Sequence, residues 1–366
     1  MTLAPRKRLE LVECARGLAA FSVLLFHANA TSQLEGWRDF PWFTVFQYGV
    51  DFFFVLSGYI IYFAHSGDLG RRETVRPYLR KRAIRLLPTL WLVTTAVFLL
   101  RLAADLPVDF AQYARSAIPY PSLLSTAPPV VWTLRHEFVF YAAFALAIIS
   151  RRLGMVLFAV WALACIAQLV LMLSGAQLRG LASFFLSSYS LDFMIGMGIA
   201  RLHQTRSFRP SLLPLVIGFL VLGAALFLDL GIGFHRLGPT DYVTTQAGWF
   251  TLALGISFGI ILHGLVLLEG HVRAPSALVA LGGATYALYL VHTPVNGLTL
   301  IALKHLGIAD KLAGGLGAIL LVVLGTIAGL LLHRAFEKPV GNWLRRAGPG
   351  GPRDVSSSPQ QNATPS

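Results

Sequence analysis

Arg16 and His27 bracket the apolar stretch RGLAAFSVLLFHA, and only Ser22 among the residues between them has a polar side chain. On an α-helix, eleven positions leave two side chains about 20° apart around the axis and about 16 Å apart along it. An ionisable group in such a run is costly and faces a bundle interior or a wet cavity. Arginine in that setting holds an anion, and histidine serves as a base with a pKa near neutrality. Taken singly, the two positions also suit an arginine snorkelling to headgroups and a histidine bonded between helices. Their common face argues for joint use.

Four further stretches carry ionisable groups where they are expensive. GVDFFFVLSGYII, residues 49–61, holds Asp51, Ser57 and Tyr59. RPYLRKRAIRLLPTLW, residues 76–91, crowds Arg80, Lys81, Arg82 and Arg85 at the mouth of an apolar run. Arg82 and Arg85 are three apart and share a face. Such a pair suits phosphate oxygens, although it also suits simple positive-inside orientation. WTLRHEFVFY, residues 132–141, contains Glu137, with Arg135 and His136 beside it. GGATYALYLVHTP, residues 282–294, contains Tyr286, Tyr289 and His292, the last either functional or structural at a proline kink. Counted along the helices, His27, Asp51, Glu137 and His292 each lie about 6–12 Å below one edge of their spans. Histidine and carboxylate at one depth are the parts of general-base catalysis, with His27 as base and Asp51 or Glu137 orienting it. General-base action and a covalent route through His27 or Ser57 both remain open on these residues.

The elements that must carry these groups are membrane helices. The chain has 366 residues, of which 55% are hydrophobic and 13% charged, and its mean hydropathy is +0.65. Apolar runs predict an all-α polytopic bundle of about ten spans. They fall at 11–31, 46–64, 84–102, 132–150, 153–173, 181–201, 211–230, 247–268, 279–300 and 313–334. Net charge is +13, but the basic residues sit in short loops between apolar runs, which excludes a nucleic-acid surface and sets orientation instead. With the N-terminus in the cytoplasm, most Lys and Arg fall inside, Trp37, Trp42, Trp132 and Trp249 fall near the outer boundary, and the C-terminus returns inside. Residues 1–30 resemble a signal peptide, yet Glu10, Glu13 and Arg16 ahead of and within the apolar run argue for a retained helix. Cys14 and Cys165 read as core residues, with no metal-ligand spacing. Residues 1–340 form one membrane domain, and 341–366, rich in Pro, Gly and Ser, read as a disordered cytoplasmic tail.

Together these stretches resemble the membrane acyltransferase 3 family over nearly the whole chain. Its Arg-x10-His corresponds to Arg16 and His27, its FFxxSG block to Phe53–Gly58, its Arg-x-x-Arg to Arg82 and Arg85, its W-[ST]-L-x-x-E to Trp132–Glu137, and its SY-x-x-Y-x-x-H to Thr285, Tyr286, Tyr289 and His292. Many members read SLSVEEQFY where this chain reads TLRHEFVFY. The resemblance implies O-acylation across the inner membrane. The donor is acyl-CoA, acetyl-CoA in the simplest case, with no permanently bound cofactor, and the acceptor is a carbohydrate or lipid hydroxyl. Arg16, Arg82 and Arg85 are then expected to bind the donor, and Ser57, Tyr59, Tyr286, Tyr289 and His292 to line the substrate site. The competing class is an exporter of polysaccharide or lipid that uses the same intramembrane charges as a proton relay.

Overall fold

The computed structural model describes residues 9–37, 40–175, 180–232, 245–312 and 315–347. Among the described residues, 9 helical segments are long and apolar enough to cross a membrane. Their helices are α1 (Glu10–Leu34), α2 (Gly49–His65), α3 (Val75–Ala103), α5 (Trp132–Ile149), α6 (Arg151–Leu173), α8 (Ser188–Thr205), α10 (Thr245–Leu268), α12 (Thr285–His305) and α13 (Leu316–Leu332). The expected span at 211–230 is α9 (Leu213–Ile232), whose apolar part Leu213–Asp229 is shorter than the other nine. Short helices α4 (Phe110–Ala117), α7 (Leu181–Phe185) and α11 (Ser276–Gly283) connect spans, and α14 (Lys338–Arg346) follows α13 across a π turn at His333–Glu337. The only extended pairing among the described residues is an isolated bridge between Glu269 and Val272.

The helices persist where their composition is least helical because a bilayer offers the backbone no other partner. Pro88 and Pro294 sit inside α3 and α12 without ending either. Polar caps appear at connecting turns, where Asp109 accepts from the amide of Ala111 and Ser150 from that of Leu153. The surface is inverted relative to a soluble protein: Leu153, Leu163, Leu220 and Phe227 are exposed. Without a hydrophobic drive between helices, association rests on close packing. A side chain at Gly17 would lie 2.7 Å from the amide nitrogen of Gly282, so α1 and α11 cross backbone to backbone. Likewise Gly58 on α2 abuts the carbonyl of Phe193, and Gly196 on α8 abuts that of Val55.

α1 runs through the centre, against α2, α11, α12 and α13. The residues that open α1 and α3, the α11–α12 junction and the end of α13 converge on one face, called the basic face below. Helix continues through Arg346, six residues past the domain edge expected at 340; the rest of the expected tail, 348–366, lies outside the described residues.

Candidate active site

The basic face opens into a cleft of about 370 Å³ lined by Arg16, Lys81, Arg82, Arg85, Gly283, Tyr286, Glu337 and Arg345. The three expected donor-binding arginines therefore meet, from α1 and α3. Arg16 is seated by the carbonyl of Gly282, which accepts from its Nη2 at 2.5 Å and its Nε at 3.1 Å, and also from Thr285 Oγ1 at 2.7 Å. Glu13, one turn earlier, lies 3.7 Å from Nη2. Arg82 reaches inward between two rings, 5.8 Å from the centroid of Tyr78 and 5.5 Å from that of Tyr141. Those faces hold the cation without neutralising it, and its buried Nε has no hydrogen-bond partner. Glu337, the single acid in the lining, pairs with His333 Nδ1 at 2.9 Å.

Beyond Arg82 the chain of contacts continues to an acid. The Tyr141 hydroxyl donates to Glu137 Oε1, as does Ser57 Oγ at 3.4 Å. Glu137 thus lies behind the cleft lining, linked through an aromatic hydroxyl to the ring under the Arg82 guanidinium.

α12 supplies a second route inward. Tyr286, Tyr289 and His292 are three apart, so they rise along one side of the helix in steps of about 4.5 Å. Tyr286 lines the cleft and donates to the carbonyl of Leu86, in the turn that contains Pro88. The Tyr289 hydroxyl meets Thr133 Oγ1 at 3.0 Å, one turn before Glu137, and its ring packs edge-on against Phe53. His292 Nε2 lies 3.2 Å from His27 Nδ1.

The proton positions on this pair follow from its acceptors. His27 Nδ1 is 2.9 Å from the carbonyl of Val23, and His292 Nδ1 is 3.0 Å from that of Leu288. A carbonyl only accepts, so each Nδ1 carries the hydrogen. His292 Nε2 is then a lone pair that shares the His27 Nδ1 hydrogen with the Val23 carbonyl. His27 Nε2 is left unprotonated, with no partner among the described residues. That is the tautomer a general base requires.

The single layer expected of His27, Asp51, Glu137 and His292 is not what forms. Among the described residues no hydrogen bond or ion pair joins His27 to Asp51 or Glu137; His292 takes the orienting place. Glu137 belongs with Ser57 and Tyr141. Asp51 is buried beside Asp192 of α8, and Asp51 Oδ1 and both Asp192 oxygens lack hydrogen-bond partners. The reason is azimuth. On α2, Asp51 and Gly58 are about 20° apart, on the face that packs against α8, whereas Ser57 is about 120° from Asp51 and faces α5. Tyr59, expected in the substrate site, is also turned away: its hydroxyl lies 3.4 Å from His203 Nδ1, and His203 Nε2 lies 2.6 Å from His263 Nδ1.

Several contributors escape a reading by motif. Asp192 was visible as an acid in an apolar run. Tyr141 sits one turn after Glu137, and that spacing was the available signal. Glu337 and Arg345 gave none, because they follow the last span and look like loop.

The family model for the acyltransferase 3 domain, described as "Acyltransferase domain", matches residues 10–334. The chain is 29% identical over 326 residues to the exopolysaccharide production protein ExoZ of Rhizobium meliloti (strain 1021), covering 83% of this chain and 91% of that protein. No solved structure matches. A match over nearly all the spans sets aside the exporter reading: the chain belongs to the acyltransferase 3 family and is a multi-pass membrane acyltransferase.

Proposed function

We propose that the protein moves an acyl group, acetyl in the simplest case, from acyl-CoA to a hydroxyl of a polysaccharide or glycolipid. On this reading the basic face is cytoplasmic, both termini lie there, and the membrane is the inner one. The positive-inside bias supports that orientation, and the printed name of the Rhizobium meliloti relative supports a polysaccharide acceptor.

The donor's phosphates enter the cationic cleft, where Arg16, Arg82 and Arg85 hold them, and the thioester extends inward past Tyr286 and Tyr289. The acceptor hydroxyl approaches His27 from the opposite face. His27 Nε2 takes the hydroxyl proton while the oxygen attacks the thioester carbon. The C–S bond then breaks, and the departing CoA thiolate recovers the proton from His27. The Val23 carbonyl and His292 Nε2 together hold His27 in the required tautomer. Glu137, with Tyr141 and Ser57, shapes the inner end of the donor path. Asp51 has no part in the transfer step. The observation that carries this reading is the continuous side of α12, Tyr286 to Tyr289 to His292, joining the cleft to His27.

The test uses membranes containing the protein, radiolabelled acetyl-CoA and the host's surface polysaccharide. Label should enter the polysaccharide, and His27→Ala should stop it in protein that still accumulates. Transfer at the unaltered rate by His27→Ala removes His27 from the mechanism. Glycan mass spectra from a strain lacking the protein identify the acyl group by the increment that disappears.

A further inference from the structure

The donor cleft has a wall from outside the spans. Leu316–Arg346 is continuous helix of 31 residues, about half as long again as the ~20 a bilayer requires, so its last turns project beyond the hydrocarbon. The π turn at His333–Glu337 widens the spiral and offsets the face shown by everything after it. The π turn and α14 thereby present Glu337 and Arg345 to the cleft. The extension is clamped in place: Arg80 of α3 donates to the carbonyl of Leu344 at 2.6 Å, a cation at a helix C-terminus. The Arg345 guanidinium is seated as well. Its Nη2 donates to Asn342 Oδ1 at 2.6 Å, and a side chain at Gly341 would come within 3.4 Å of its Nη1.

The charge of the cleft then exceeds what a single phosphate needs. Arg16, Lys81, Arg82, Arg85 and Arg345 share the lining with one acid, Glu337, and Glu13 behind Arg16 offsets part of that residue's charge. A pantetheine thioester carries no matching charge, and a diphosphate matches only part of it. A nucleotide-borne thioester with a diphosphate and a separate phosphomonoester matches it much more closely, because a phosphomonoester adds about 1.5 to 2 negative charges near neutral pH. Arg345 lies on the helical extension past the last span, at the level where Arg80 meets Leu344, and the nucleotide end of such a donor would lie there.

We propose that Arg345, carried on α14, binds the 3′-phosphomonoester of the CoA donor and makes the protein prefer CoA thioesters to their dephosphorylated forms. The proposal rests on the donor reading above and assigns one of its contacts. A fork of guanidinium donors on a phosphomonoester is the geometry Arg serves better than Lys.

The test is equilibrium binding of radiolabelled acetyl-CoA to the full chain in phosphatidylcholine nanodiscs, which carry no phosphomonoester headgroup, with CoA and dephospho-CoA as competitors. The unaltered protein should prefer CoA by about tenfold, the size of one charge-assisted contact at a partly solvated site. Arg345→Gln should abolish that preference by weakening CoA alone, Arg345→Lys should keep part of it, and Arg82→Ala should weaken both competitors together. An Arg345→Gln protein that still prefers CoA, or that loses both competitors equally, overturns the assignment and leaves the donor reading intact. Unaltered protein that binds neither competitor overturns both.

Discussion

His292 Nε2 lies 3.2 Å from His27 Nδ1, and each ring's Nδ1 points to the carbonyl four residues earlier on its own helix. The two contacts fix one proton arrangement, in which His292 receives and His27 keeps a free Nε2 lone pair. His27→Ala should therefore reduce acyl transfer by about 10²- to 10⁴-fold, the range for losing a positioned general base. His292→Ala should cost less, on the order of tenfold, because the Val23 carbonyl still holds the His27 tautomer. His292→Asn, which can accept from Nδ1–H, should recover part of the loss. The measurement is initial rate of label transfer at saturating acetyl-CoA. Equal losses from both alanine variants would mean that His292 acts on the substrate itself.

Ser57 and Glu137 separate two mechanisms. Ser57 Oγ donates to Glu137, and among the described residues no hydrogen bond joins it to a histidine that would activate it as a nucleophile. Ser57→Ala should keep most of the activity, and intact-protein mass spectra after incubation with acetyl-CoA alone should show no acyl adduct at Ser57. Glu137→Gln keeps the volume of the side chain but removes the charge that receives the Tyr141 hydroxyl. It should lower transfer clearly more than Ser57→Ala does. A Ser57→Ala protein without activity would revive the covalent route.

How far the sequence reached can be judged from these same residues. The spans, the Arg16–Arg82–Arg85 cluster and the membership in the family were legible, because apolar length, loop charge and local motifs are properties of one segment at a time. Which helix each face meets was not. Asp51 is turned to Asp192 on α8 and Glu137 to Ser57 on α2. The α2–α8 contact that decides this is set by Gly58 and Gly196, residues that carry no signal of their own about a partner. Arg345 was lost for a different reason: the π turn that carries helix past the last span has no sequence signature.

The α2–α8 contact gives a stability prediction. A methyl group at Gly58 would strike the backbone of Phe193, and one at Gly196 would strike the carbonyl of Val55. A backbone carbonyl cannot swing aside as a side chain does, so the helices must separate and lose packing along their length. Gly58→Ala and Gly196→Ala should each destabilise the detergent-solubilised protein by about 1–3 kcal/mol, seen as a lower midpoint in thermal unfolding. Gly198, on the same helix with open space at its Cβ position, is the control: Gly198→Ala should be neutral or slightly stabilising through helix propensity. A drop of similar size at all three positions would mean that helix–helix distance is not what the glycines protect.

Arg135 is wholly buried in α5, two residues before Glu137, and its Nη1 donates to the carbonyls of Ser122 and Leu124 at 2.8 Å and 2.6 Å. It fastens the segment ahead of α5 at the end of the bundle away from the cleft, the side by which the proposed function brings in the acceptor. Removing it leaves the buried carbonyl of Ser122 and the part-buried carbonyl of Leu124 without their charged donor, a loss of about 2 kcal/mol in the local structure. Lysine cannot repair it, since one ammonium on a shorter, more flexible stem does not reproduce the planar fork. Arg135→Ala and Arg135→Lys should therefore both raise amide hydrogen exchange across 118–131. They should raise the KM for acceptor while leaving acetyl-CoA binding unchanged, because the cleft shares no residue with this clamp. If exchange in 118–131 stays slow in both variants, the segment is held by other contacts and Arg135 does not shape the acceptor entrance.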